Sequence, residues 1–194
     1  MTSPASVASP SRAALHAAAA AAGLRVLASA SWPETDADGE VAALAGFIDS
    51  NFSPLLAQVA ERALRRAQPQ VSGKVTAIVM VTALGDITSA ARVAAAVDAG
   101  KRVPPLQFFQ SVPNAVAGYL AARWQLTGPV VCVSGTRAAL DVAALLIEDA
   151  DADEVLVVRA DLAVTDGGTD RGAAILVTGL ASRGRALKPD TPEG

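Results

Sequence analysis

Five short, nearly unbroken apolar runs, spaced by longer stretches of helical period, narrow what this 194-residue chain can fold into more than any other feature of it. The runs fall at residues 24–28, 75–81, 130–133, 155–158 and 173–177. Each has the length of a strand, and none alternates strictly between apolar and polar residues. Strands of that kind are buried on both faces, as happens when helices cover the two sides of a largely parallel sheet. The predicted order is α-β-α-β-α-α-β-α-β-β, an α/β fold.

Helix signals fill the intervals. Ser53-Pro54 opens a helix whose apolar stripe is Leu55, Leu56, Val59, Ala63 and Leu64. Asp86 is placed to cap the next one. Its stripe of Ile87, Ala90, Ala91, Ala94 and Val97 runs to Gly100, a residue suited to the left-handed position past a helix end. Ser111 opens a helix toward Leu126, and another begins near Ser134 to Thr136 with Ala139, Leu140, Ala143, Ala144 and Ile147 on one side. The run Asp166-Gly167-Gly168-Thr169-Asp170-Arg171-Gly172 is a turn by composition. Residues 1–10 and 181–194 carry no hydrophobic period and are expected to be flexible ends of one domain spanning 11–180.

Composition excludes several functions. The formal net charge is -3, and Lys and Arg are scattered or in short pairs such as Lys101-Arg102, so nucleic acid is offered no basic face. Arg62, Arg65 and Arg66 form a basic helix edge that reads as solvated, or as a contact for an acidic carrier. With one Cys and one His, no metal site of thiolates and imidazoles can be assembled, and no cofactor is expected. Cys132 sits inside an apolar run and reads as an inert buried thiol; His16, in an Ala-rich helix, reads as solvent-facing. No Gly-x-Gly-x-x-Gly or phosphate loop follows any strand. No apolar run approaches the roughly 20 residues of a membrane helix. The stretch from Arg12 to Ala30 loosely imitates a secretory signal, but polyalanine is a weak apolar core for one, and the cytoplasm is the expected compartment.

The segment Phe108-Phe109-Gln110-Ser111-Val112-Pro113-Asn114-Ala115-Val116-Ala117-Gly118-Tyr119, followed by Leu126-Thr127-Gly128-Pro129-Val130-Val131-Cys132-Val133-Ser134-Gly135, resembles the N-terminal half of a β-ketoacyl synthase. In that family a phenylalanine-rich turn and a Ser-Val-Pro-Asn-like helix start precede a Gly-Pro, a buried strand and the nucleophile elbow. The resemblance runs from about residue 24 to residue 178 and closes on Asp170-Arg171-Gly172-Ala173-Ala174-Ile175-Leu176-Val177, which is similar to the family's Gly-Ala-rich last strand. It implies a thiolase-like half-fold: the N-terminal βαβαβαββ-type half of a ketosynthase, with a mostly parallel sheet and helices on both faces.

Counted from Gly128-Pro129, the family's nucleophilic cysteine falls at position 137, which here is Arg137; Cys132 stands five residues earlier, within the strand. The family's two catalytic histidines belong to a second half for which this chain has no length. The resemblance therefore implies a non-catalytic subunit like the chain-length factors of type II polyketide systems. Such a subunit pairs with a full-length β-ketoacyl synthase as a heterodimer and meets acyl carrier protein only indirectly. Val130, Val131, Cys132, Val133, Ser134 and Arg137 are the implied interface, and Leu84, Leu106, Gln107, Phe108 and Phe109 the implied wall of an acyl tunnel. Phe108 and Phe109 read equally well as core anchors. Arg137 has three options: a bond across the interface, a bond to Asp141 one turn on, or plain solvation. A stand-alone small acyl- or nucleotide-binding α/β protein, and a degenerate ketosynthase fragment, stay open as other readings.

Overall fold

Among residues 12–48, 50–71, 73–110, 112–163 and 168–180, which the computed structural model describes, all five apolar runs are strands. In chain order the elements are α1 (Arg12–Ala21), β1 (Leu24–Trp32), α2 (Phe52–Val71), β2 (Thr76–Val81), α3 (Ile87–Asp98), α4 (Pro105–Gln110), α5 (Asn114–Trp124), β3 (Val130–Val133), α6 (Thr136–Glu148), β4 (Glu154–Asp161) and β5 (Arg171–Gly179). The strands form one sheet in the order β1-β5-β4-β2-β3. The pairs β2/β3 and β2/β4 are parallel, while β4/β5 and β1/β5 are antiparallel. Four strands therefore run one way and β5 runs against them.

Side chains two residues apart share a face of a strand, and this period divides the core into two layers. Ile78, Met80, Leu156, Val158 and Leu176 point to one side, where α2 and α5 cover them with Leu55, Leu56, Val59, Ala63, Leu64, Val116 and Leu120. Ala77, Val79, Val81, Val155, Val157, Ile175 and Val177 point to the other, under α1 and α6, where Leu15, Ala139, Leu140 and Ala143 meet them. The predicted α2 stripe is fully buried. Truncating one such leucine to alanine costs about 2–5 kcal/mol.

The structure corrects several boundaries. β1, β4 and β5 are longer than their apolar runs, because antiparallel pairing carries the ladder into Ser29, Ala30, Ser31 and Arg171. A short helix, α4, stands where a phenylalanine-rich turn was expected. α2 starts one residue before Ser53: the Ser50 hydroxyl accepts from the Phe52 amide at 3.0 Å, and the Ser53 hydroxyl is buried without a hydrogen bond among the described residues. Asp86 does cap α3, its Oδ1 accepting from the Ser89 amide at 3.0 Å, and Gly100 takes the expected left-handed φ of 64°. Yet the α3 stripe is not core. Only Ser89 of that helix is buried; Ile87, Ala91 and Val97 face outward. Ser111, residues 164–167 of the connecting loop, and the ends at 1–11 and 181–194 lie outside the described residues.

Candidate edge and elbow site

Parallel strands deliver side chains to the ends where they stop, and β2, β3 and β4 stop on one side of the molecule. β3 is followed by Ser134 and Gly135, and α6 begins at Thr136. Gly135 holds the cap position in an extended conformation and offers no side-chain bond to the helix start. Arg137 is thus the second helical residue, with a side chain 83% exposed. Its Nε lies 3.0 and 3.1 Å from the two carboxylate oxygens of Asp141. Within this chain the bond to Asp141 is made, and it answers the unfavourable placement of a cation at a helix N-terminus. Beneath, the half-buried Thr136 hydroxyl accepts from Arg159 Nη1 at 3.2 Å, and Arg159 Nε is paired with Asp161. The space enclosed there by Leu15, Val81, Thr136, Val157, Arg159 and the start of β5 is about 10 Å³, too little for an acyl group.

Cys132 departs from its predicted environment. It is exposed on the edge strand, not buried between sheet and helices. The reason is position: β3 is the last strand, and Val130 and Cys132, in register with Ile78 and Met80 of the α2/α5 face, lie at the uncovered margin of that face. Partial burial still pushes its thiol up, so it does not carry the lowered pKa of a nucleophilic cysteine. His16 also differs. It is half-buried, and its Nε2 is buried without a hydrogen bond among the described residues, because α1 lies flat on the sheet.

The remaining predicted residues share an outward exposure. Leu84 is 66% exposed, Leu106 and Phe108 63% each and Phe109 60%, with Gln107 half-buried. The phenylalanines are not core anchors of this chain. Gly85 packs against Pro113, with 3.5 Å between the site of a Cβ and Pro113 Cγ, so the turn carrying Leu84 lies beside the junction of α4 and α5. Beyond it, Ile87, Thr88, Ala91, Arg92 and Ala95 line an open recess of about 480 Å³ on α3. Sequence reasoning missed this recess, since the same helical period also marks a core-facing stripe.

The two edges of the sheet are treated differently. At β1, Arg62 and Arg66 of α2 donate to the main-chain oxygens of Ser31 and Ser29 at 3.1 and 2.6 Å. Glu34 and Asp38 hold both guanidinium groups, and Arg62 also lies 5.3 Å over the Trp32 ring. Arg65 and Arg123 pair with Glu61. The expected solvated basic edge is therefore a set of internal ion pairs that caps an edge strand. At β3 there is no such cover among the described residues: Val130–Val133 carries no charge and no proline, the usual devices against edge pairing.

A mostly parallel five-stranded sheet with helices on both faces is the architecture of a thiolase-like half-fold. Residues 25–167 match the family described as β-ketoacyl synthase, N-terminal domain, and the chain belongs to that family. A ketosynthase in complex with its chain length factor, from Xenorhabdus doucetiae, has the same fold with a TM-score of 0.64 and 17% identity, over 82% of this chain and 80% of that one. The ishigamide ketosynthase/chain length factor superposes with a TM-score of 0.61 and 19% identity over 76% of this chain; the chain spans about half of that relative, 49%. A type II polyketide ketosynthase in complex with its acyl carrier protein gives 0.55 and 12% identity, over 81% of this chain and 63% of that one. No curated protein matches the sequence. No helix among the described residues is long and apolar enough to cross a membrane.

Proposed function

We propose that this chain is a non-catalytic, chain-length-factor-like subunit that pairs with a full-length β-ketoacyl synthase as a heterodimer and shapes the tunnel into which the synthase extends an acyl chain. The observation that carries this reading is Arg137: where the family's nucleophile is expected, an exposed guanidinium is held by Asp141. Acyl transfer through an enzyme-bound intermediate needs a nucleophile at that helix start, and neither arginine nor the strand thiol Cys132 serves. The bare β3 edge, and separately the exposed apolar side chains of Leu84, Leu106, Phe108, Phe109 and Val130, support a partner, because edge amides and apolar side chains are both stabilised by being covered. The Xenorhabdus complex adds support: the aligned stretch covers similar shares of both chains, so a chain of about this length occurs in a solved ketosynthase complex.

In this reading Val130, Val131, Cys132, Val133, Ser134 and Arg137 contribute to the interface. Leu84, Leu106, Gln107, Phe108 and Phe109, with the α3 recess, bound the tunnel. Acyl carrier protein reaches the complex through the synthase. The test is co-expression with a full-length ketosynthase. A stable one-to-one complex that elongates acyl groups, with neither activity nor acyl-enzyme formation by this chain alone, is the expected result. Condensation by the isolated chain, or failure to bind any ketosynthase encoded with it, would overturn the reading.

A further inference from the structure

Resting on the reading that Leu84 bounds the acyl tunnel, we propose that Asp86 and Ser89 are positioning residues that hold Leu84 in place and so set where chain growth stops. A wall ends an acyl chain by overpacking, and overpacking is costly only where the wall does not yield. Leu84 is 66% exposed and stands in the connection between β2 and α3, where a side chain on a loose segment would swing aside. The connection is instead bonded at both ends. On the strand side, the Thr82 amide donates to the Val133 oxygen of β3 at 3.1 Å. The Thr82 hydroxyl accepts from the Gly85 amide at 3.0 Å and closes a turn around Ala83 and Leu84. Gly85 takes a left-handed φ of 66°, which favours glycine there.

On the helix side the hold exceeds what a cap requires. Asp86 is 5% exposed and Ser89 2%, so each satisfies the other where water has little access. Asp86 Oδ1 accepts from the Ser89 amide at 3.0 Å, the ordinary capping bond, and Oδ2 accepts from the Ser89 hydroxyl at 2.8 Å. The second bond needs a hydroxyl at position 89, and Ser89 is the one buried residue of α3. Bonds to a carboxylate are about twice as strong as neutral ones. The start of α3 is thus anchored by a side-chain pair three residues apart, while Ile87, Ala91 and Val97 of the same helix face outward. What Leu84 lacks in packing the pair supplies through the backbone: with Asp86 fixed, the two-residue step back to Leu84 keeps little freedom.

The experiment is product analysis by mass spectrometry on the complex of the full chain with a full-length ketosynthase. Leu84→Ala is expected to lengthen the products. Asp86→Ala and Ser89→Ala should raise the fraction of product longer than the wild-type limit about fivefold, the population change that loss of one capping interaction allows. Asp86→Asn, which keeps an acceptor for the Ser89 amide, should restore most of that limit. Adding Ser89→Ala to Leu84→Ala should lengthen nothing further, an outcome that a merely structural role would not give. Ser89→Ala removes one bond and leaves the Asp86 cap, so it decides the matter even where Asp86→Ala does not fold; circular dichroism checks both. Wild-type lengths in Ser89→Ala and in every folded Asp86 variant, beside longer products in Leu84→Ala, would overturn the proposal and leave the tunnel reading in place. So would a double variant whose products exceed those of Leu84→Ala. Wild-type lengths in Leu84→Ala remove that residue from the tunnel and the proposal with it. A chain that forms no synthase complex is seen before any product is made, and it removes the proposal together with the heterodimer.

Discussion

The guanidinium of Arg66 donates to the main-chain oxygen of Ser29 at 2.6 Å, closing one edge of the sheet with a side chain from the helix above it. Arg62 does the same at Ser31. Replacing both by alanine should uncap β1 and leave Glu34 and Asp38 without their counter-ions. The expected loss is about 1–2 kcal/mol in urea unfolding, with light scattering that grows with concentration. Unchanged stability in the double variant would show that these bonds are solvated contacts of no consequence.

The same cluster sets an acid dependence. A hydrogen bond from Arg62, with those from the Glu34 and Thr35 amides, holds the Asp38 carboxyl well below the usual carboxylate range. A folded-state pKa below the unfolded one stabilises the fold at any pH above the unfolded value, and that contribution fades as pH falls below about 4. Thermal unfolding of Asp38→Asn from pH 7 to pH 2 should therefore show a shallower acid decline than wild type. Parallel curves would remove Asp38 from the account.

Phe108 and Phe109 should behave unlike core residues. Their exposure predicts that Phe108→Ala or Phe109→Ala changes the stability of the isolated chain by less than about 0.5 kcal/mol. In the synthase complex the same changes should lengthen the product, since a bulky wall stops chain growth by overpacking. Product lengths that match wild type in both variants would remove these residues from the tunnel.

Among the described glycines, Gly128 leaves the least room for a side chain. A Cβ there would lie 2.6 Å from the Ala77 nitrogen and 2.7 Å from the Thr76 carbonyl, atoms of β2 that cannot swing aside. The Gly128 amide also donates to the Thr76 oxygen at 3.0 Å. Gly128→Ala should destabilise the fold by about 3 kcal/mol, read from denaturant melts. A loss within error of zero would mean that the β2–β3 contact relaxes freely.

Much of the fold was legible because burial leaves a local mark. The strand runs, the α2 stripe, the Asp86 cap and the Gly100 stop are written in adjacent residues whose spacing follows the period of the element they form. The count from Gly128-Pro129 that singles out Arg137 rests on the resemblance to a family and not on a local period. What the runs could not carry was the order of the strands. Val130–Val133 and Thr76–Val81 are similar as strings, yet β2 is buried throughout and β3 is half exposed, since one has a neighbour on each side and the other has one neighbour only.

The environments of Cys132, Ile87, Phe108 and Arg66 follow from that order and not from their own neighbours in sequence. An apolar residue shows that it is stabilised by being covered, which the chain itself states; by what it is covered depends on where the sheet ends. Tertiary structure alone decided that the β1 edge is sealed from within, while β3 at the other end of the sheet has no such cover among the described residues. Edge pairing and packing between distant segments are long-range contacts, and no window of sequence contains both partners.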